Sequence, residues 1–228
     1  MSAPSIKSLS TGCAPLDQLM GGLSTGEMVL LFGERGSGKT TLAFQMMVSA
    51  ASRGLSATML YTEGRAPLQR LTEIAGPAWQ TASELMWVME VKSFGQQDAL
   101  IDDIESQMPQ KTALLVLDSI TSCYRAELGQ HDANISINKA LNRETALLKD
   151  LCIRKGLTVL LISEVRTQLN GQGIEPVASA ILTYWADRAF RMDKVYGDLR
   201  KVTQIKPPSE RDALIKLKTT GFSESCEV

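Results

Sequence analysis

The 228 residues carry 24 Lys+Arg against 25 Asp+Glu, a net charge of -1, so no global basic excess marks a nucleic-acid binder and any such contact must come from local patches. A composition of 44% hydrophobic and 21% charged residues is that of an ordinary soluble globular protein with one sizeable core. The four cysteines, Cys13, Cys123, Cys152 and Cys226, form no CxxC pair, which argues against a zinc site or disulfide framework and for a reducing, cytoplasmic setting.

In chain order, the opening MSAPSIKSLSTG has no apolar h-region and reads as no signal peptide. No segment reaches the roughly 18 apolar residues of a membrane span. Short apolar runs at 27–33, 57–63, 85–91, 112–119 and 157–165 predict buried strands. Between them, KTTLAFQMMVSAASRG, QQDALIDDIESQM and INKALNRETALLKDLCIRKG have apolar residues at three- and four-residue spacing and predict helices, with Gly54 and Gly156 as C-caps. This alternation implies a mostly parallel twisted sheet with helices on both faces. Residues 166–182 predict a loop, and the partly alternating segments after Asp187 predict an antiparallel meander turning near Gly197 and Pro207-Pro208. The ten methionines read as core filler, and the lone His131 as a surface residue.

The chemistry starts at Gly33-Glu34-Arg35-Gly36-Ser37-Gly38-Lys39-Thr40-Thr41. This stretch satisfies the P-loop pattern after a strand and before a helix. Its backbone N–H groups would cradle phosphates, Lys39 would reach the β/γ-phosphates of ATP, and the Thr40 hydroxyl would ligate Mg²⁺. Asp118 ends the strand ALLVLDS; it is a second Mg²⁺ ligand or a cap of the next turn. Glu63 ends another strand; it orients the attacking water or is simply solvated. Ser163-Glu164 ends a third, as a γ-phosphate sensor or a plain strand terminus. The C-terminal third is locally basic (Arg188, Arg191, Lys194, Arg200, Lys201, Lys206, Arg211, Lys216 and Lys218). It would track a phosphodiester backbone or form the solvent face of an edge strand.

These motifs together resemble the RecA/RadA recombinase family. STGCAPLDQLMGGLSTGEMVLLFGERGSGKTTLAFQ is similar to the opening of its core, LYTEGRAPLQRL to its catalytic-glutamate strand, and LVLDSITSCYRAEL to its Walker B strand and the element that follows. The resemblance covers about residues 10 to 222 and is strongest to the short archaeal paralogue of RadA. It implies a RecA-like P-loop ATPase core over 1–228, without the N-terminal helix-hairpin-helix domain of RadA. It implies that Glu63 activates water, that Arg70 packs on the adenine, and that 126–142 and 165–182 are DNA-binding loops. Lys139, Arg143 and Arg166 are then the candidate DNA contacts. The implied function is an accessory one in homologous recombination and repair. The chain would bind single- or double-stranded DNA, hydrolyse ATP weakly, and modulate a RadA-type recombinase, with ATP near a protomer interface of a homo-oligomer. Two departures stand out. The F-x-x-A polymerisation motif is missing, and Ser163-Glu164 replaces an Asn-Gln sensor. The alternatives are an archaellum-type or KaiC-like ATPase acting on protein partners, and a nucleotide-binding scaffold without significant hydrolysis.

Overall fold

Strands buried on both faces read as near-continuous apolar runs, and four of the five predicted runs form strands buried along almost their whole length. In the computed structural model, Met28–Phe32 (β1), Ser56–Tyr61 (β2), Met86–Glu90 (β3), Thr112–Asp118 (β4) and Thr158–Ser163 (β5) pair in parallel in the order β1-β5-β4-β2-β3. The structure describes residues 8–129, 131–167 and 173–224, and of residues 131–133 only the backbone. The side chain of His131 and all of Cys226 therefore lie outside the described residues. Arg188–Tyr196 (β6) joins β1 in parallel on its other side and opens an antiparallel meander through Leu199–Lys206 (β7), Asp212–Lys218 (β8) and Gly221–Glu224 (β9). The result is one nine-stranded sheet, β9-β8-β7-β6-β1-β5-β4-β2-β3. This is the expected α/β architecture with its C-terminal meander.

Period-2 alternation sends Val29 and Leu31 of β1 to one face of the sheet and Met28, Leu30 and Phe32 to the other. On the first face pack helices Ala14–Met20 (α1), Lys39–Ala51 (α2) and Leu68–Ala75 (α3). On the second pack Phe94–Asp102 (α4), Ser122–Glu127 (α5), His131–Lys155 (α6) and Ser179–Trp185 (α7). Methionines 28, 46, 47, 59 and 192 are buried in these two clusters, as expected of flexible core filler. The described cysteines, Cys13, Cys123 and Cys152, are buried free thiols. Among the described residues no helix is long and apolar enough to cross a membrane.

Four expectations need correction. The segment 126–142, expected as a DNA-binding loop, is mostly helical, because α5 runs to Glu127 and α6 starts at His131. The strand β3 is at the sheet edge, with Trp87 39% exposed, not buried; a run of apolar letters does not say whether a strand has one neighbour or two. The stretch 96–108 is broken into α4 and a short helix, Ile104–Gln107. The stretch 166–182 is not simply a loop: Val165–Thr167 and Ile174–Pro176 pair antiparallel, and α7 begins at Ser179. Three-residue strands are too short for periodicity to reveal.

Candidate nucleotide site

The carboxyl ends of β1, β2, β4 and β5 lie on one edge of the sheet, where an open α/β sheet places its ligand. There, β1 runs into the Gly33–Gly38 loop, and α2 starts at Lys39. Glycine is needed at two points of the loop for different reasons. A Cβ on Gly33 would run into the carbonyl oxygen of Met192. Gly38 holds φ at 109°, and a Cβ there would lie 2.5 Å from Phe222 Cζ. Close packing against β6 and β9 therefore sets the curvature of the loop.

Lys39, 8% exposed, folds back so that Nζ donates to the Gly33 carbonyl (2.8 Å) and the Glu34 carbonyl (3.0 Å). Burial pulls its pKa below the ordinary lysine value, while Asp118, Glu63 and Glu164 push the opposite way. These groups, with Arg35, Gly36, Gly38, Thr40, Thr41 and Leu217, line a cavity of about 210 Å³. Residues from four strand ends thus meet where the sequence places a phosphate site.

Asp118, the last residue of β4, is 2% exposed. Burial raises its pKa to about 6, against the lowering effect of a hydrogen bond with the Thr40 side chain. Its Oδ2 has no hydrogen-bond partner. A buried carboxylate oxygen without a partner, next to a threonine hydroxyl, is a hard-oxygen donor set that a divalent cation would complete. No cluster of three or more His, Cys, Asp or Glu side chains suited to a metal occurs among the described residues. The remaining ligands of such a cation would therefore be phosphate and water, as is usual for Mg²⁺.

Thr62 fixes the relation between Glu63 and Asp118. Its N–H donates to the Asp118 carbonyl (2.8 Å), its hydroxyl donates to the Ser119 carbonyl (2.7 Å), and the Ser119 N–H donates to that hydroxyl (2.9 Å). Glu63 follows directly and is exposed at the cavity mouth. Ser163 is fully buried; its hydroxyl donates to the Glu164 carbonyl (2.9 Å) and lies 3.2 Å from the Thr121 hydroxyl. The Glu164 side chain enters the cavity and forms an ion pair with Arg125 of α5.

A family model described as Rad51 matches residues 3–225. The chain belongs to the Rad51 family. It is similar to the DNA repair and recombination protein RadB of Methanosphaera stadtmanae, with 29% identity over 84% of this chain and 83% of that one. It is likewise similar to RadB of Methanococcoides burtonii, at 26% over 82% and 83%. A crystal structure of the RadB recombinase superposes with a TM-score of 0.79 at 27% identity, covering 95% of this chain and 99% of that one. Rad51 and RecA proteins are nucleotide-binding proteins and generally ATPases.

The remaining predicted positions of this Rad51-family chain lie apart from the cavity. Arg70, on α3, donates to the carbonyls of Lys218 and Thr219 in the β8–β9 turn, next to the cavity-lining Leu217. Arg143 joins α6 to α4 through Asp98 and Asp102, both at 2.5 Å. Arg166 pairs with Glu175 at 2.9 Å, across the short strand pair. Lys139 is exposed and has no hydrogen bond or ion pair with any described residue.

Several cations of the basic tail are already engaged: Arg188 with Glu27, Arg191 with Asp193, Lys201 with Asp212, and Lys216 with Asp198. Lys206 donates to the carbonyls of Thr183 and Ala186. Arg200, 6% exposed, donates to the P-loop carbonyl of Ser37 (2.9 Å) and to Gly197 and Leu199. Sequence reasoning missed Arg200, Thr62 and Arg125 as parts of the site. For Arg200 the one available signal was its place inside an otherwise half-buried strand pattern.

Proposed function

We propose that this chain is an ATP-binding, DNA-binding accessory protein of homologous recombination and DNA repair, built as one RecA-like core over 1–228, with a weak Mg²⁺-dependent ATPase. It modulates a RadA-type recombinase. The observation that carries the reading is the convergence of Lys39, Thr40, Asp118 and Glu63 on one cavity, with an Asp118 oxygen left without a partner. Residues 33 to 41 bind the phosphates of ATP through backbone N–H groups and the α2 N-terminus. Lys39 exchanges its two loop carbonyls for phosphate oxygens, which offsets the cost of its burial. Thr40 and Asp118 hold the cation, which when bound neutralises phosphate charge. Glu63 orients a water and accepts its proton as the oxygen attacks the terminal phosphorus.

The short names of the relatives, DNA repair and recombination protein RadB, support the recombination setting. Lys139 is the candidate DNA contact that is not engaged by any described residue; Arg143 and Arg166 contribute only if they leave their carboxylates. A homo-oligomer with ATP near a protomer interface completes the reading. The alternative, an ATPase acting on protein partners, draws support from the cations engaged within the tail. The test is steady-state phosphate release with Mg²⁺, with and without DNA. Turnover that is lost in Lys39→Ala and falls by two or more orders of magnitude in Glu63→Gln supports the proposal. Turnover unaffected by Glu63→Gln overturns the role of Glu63.

A further inference from the structure

Three carboxylates, Glu63, Asp118 and Glu164, line a cavity whose ligand is itself anionic. Asp118 has a cation to hold and Glu63 a water to orient; Glu164 has neither task. Its carboxylate is ion-paired with Arg125, from the helix that follows β4. The pair is partly exposed, with side-chain exposures of 49% for Arg125 and 22% for Glu164, so its partners can exchange without a large desolvation cost. The backbone around it is firmly held. The Glu164 carbonyl accepts from the Val177 N–H (3.0 Å) and from the Ser163 hydroxyl (2.9 Å), and hydroxyls of Ser119, Thr121 and Ser163 follow one another at 3.3 and 3.2 Å. The fixed backbone leaves the two side chains as the movable parts.

A terminal phosphate entering beside Glu164 would meet a negative charge whose ion-pair partner, the Arg125 guanidinium, suits phosphate as well as carboxylate. We infer that Glu164 and the terminal phosphate of a nucleoside triphosphate compete for Arg125, so that Glu164 sets the preference of the site between triphosphate and diphosphate. This inference rests on the ATP reading above. With Arg125 held by Glu164 the site favours the diphosphate; transfer of Arg125 to the phosphate marks the triphosphate state. The exchange changes the contact between α5 and residue 164, which leads directly into the strand pair 165–167 and 174–176. The strand pair lies within the second of the segments that resemble DNA-binding loops, and α5 overlaps the start of the first.

The test is calorimetric titration of the full chain with ADP and with a non-hydrolysable ATP analogue in the presence of Mg²⁺, reading the ratio of the two affinities. Glu164→Gln should move the ratio about tenfold toward the triphosphate, the order expected of one charge contact at a partly exposed site. Arg125→Gln, which leaves Glu164 uncompensated, should move it the opposite way, and the double variant should lie between them. Equal weakening of both nucleotides in both variants, or an unchanged ratio, overturns the competition and leaves the ATP site standing. Failure of the unsubstituted protein to bind either nucleotide overturns the ATP reading and this inference together.

Discussion

Asp118→Asn should stabilise the nucleotide-free protein at neutral and alkaline pH. Asp118 is 2% exposed, and burial lifts its pKa from 3.8 to about 6. A carboxyl raised in this way binds its proton more tightly folded than unfolded. Its contribution to stability is intact below about pH 4 and is lost as pH rises through 6. The difference corresponds to about 3 kcal/mol at pH 8 and to about half of that at pH 5. Asparagine keeps an acceptor for Thr40 but puts an amide N–H₂ where Oδ2 has no partner, which costs about 1 kcal/mol. The net expectation is a gain of about 2 kcal/mol at pH 8 and little at pH 5, or a Tm rise of roughly 4–8 °C at the higher pH. Urea denaturation followed by circular dichroism, in EDTA and without nucleotide, reads this directly. Adding Mg²⁺ and an ATP analogue should then stabilise the unsubstituted protein and leave the variant unchanged. A variant destabilised by the same amount at both pH values would refute the reasoning, because the buried charge would then carry no penalty for a cation to relieve.

Glu144 is fully buried, accepts from Gln97 Nε2 at 2.7 Å, and is pushed by burial to about 8. It is therefore neutral at pH 7, and stability falls as pH rises through 8; the advantage of Glu144→Gln should widen by about 1 kcal/mol between pH 7 and 9 in denaturation curves. Arg200→Leu strands the buried Ser37 carbonyl and removes the hydrogen bonds to the more accessible carbonyls of Gly197 and Leu199, so it should cost roughly 1–3 kcal/mol and weaken nucleotide affinity, measured by denaturation and calorimetry. Gly38→Ala meets both a φ of 109° and Phe222 Cζ at 2.5 Å; it should lose about 1–3 kcal/mol and abolish nucleotide binding in the same two assays.

The parallel core and the P-loop were legible because each depends on local information. Uninterrupted apolar runs mark strands buried on both faces, and the glycine-lysine-threonine loop carries its own chemistry. Asp118 and Glu63 were legible as candidates because both end such runs, although local reasoning left each with a plain alternative. What escaped depends on distant pairing. Nothing near Arg200 in the chain indicates that it reaches Ser37, and nothing near Arg125 indicates that it pairs with Glu164. The basic tail stayed ambiguous for the same reason: a count of lysines and arginines does not show that Asp198 and Asp212 lie within reach of Lys216 and Lys201. The edge position of β3 follows from strand order, which no single run encodes.

The central proposal, an accessory protein that binds both ATP and DNA, is tested most directly by fluorescence anisotropy of labelled single-stranded DNA. The titration would be run without nucleotide, with ADP, and with a non-hydrolysable ATP analogue over a salt series, using the unsubstituted chain and Lys39→Ala. The account predicts saturable, salt-sensitive binding that depends on the nucleotide and loses that dependence in Lys39→Ala. No binding at low salt in any nucleotide state would contradict it and assign the ATP chemistry to a protein partner.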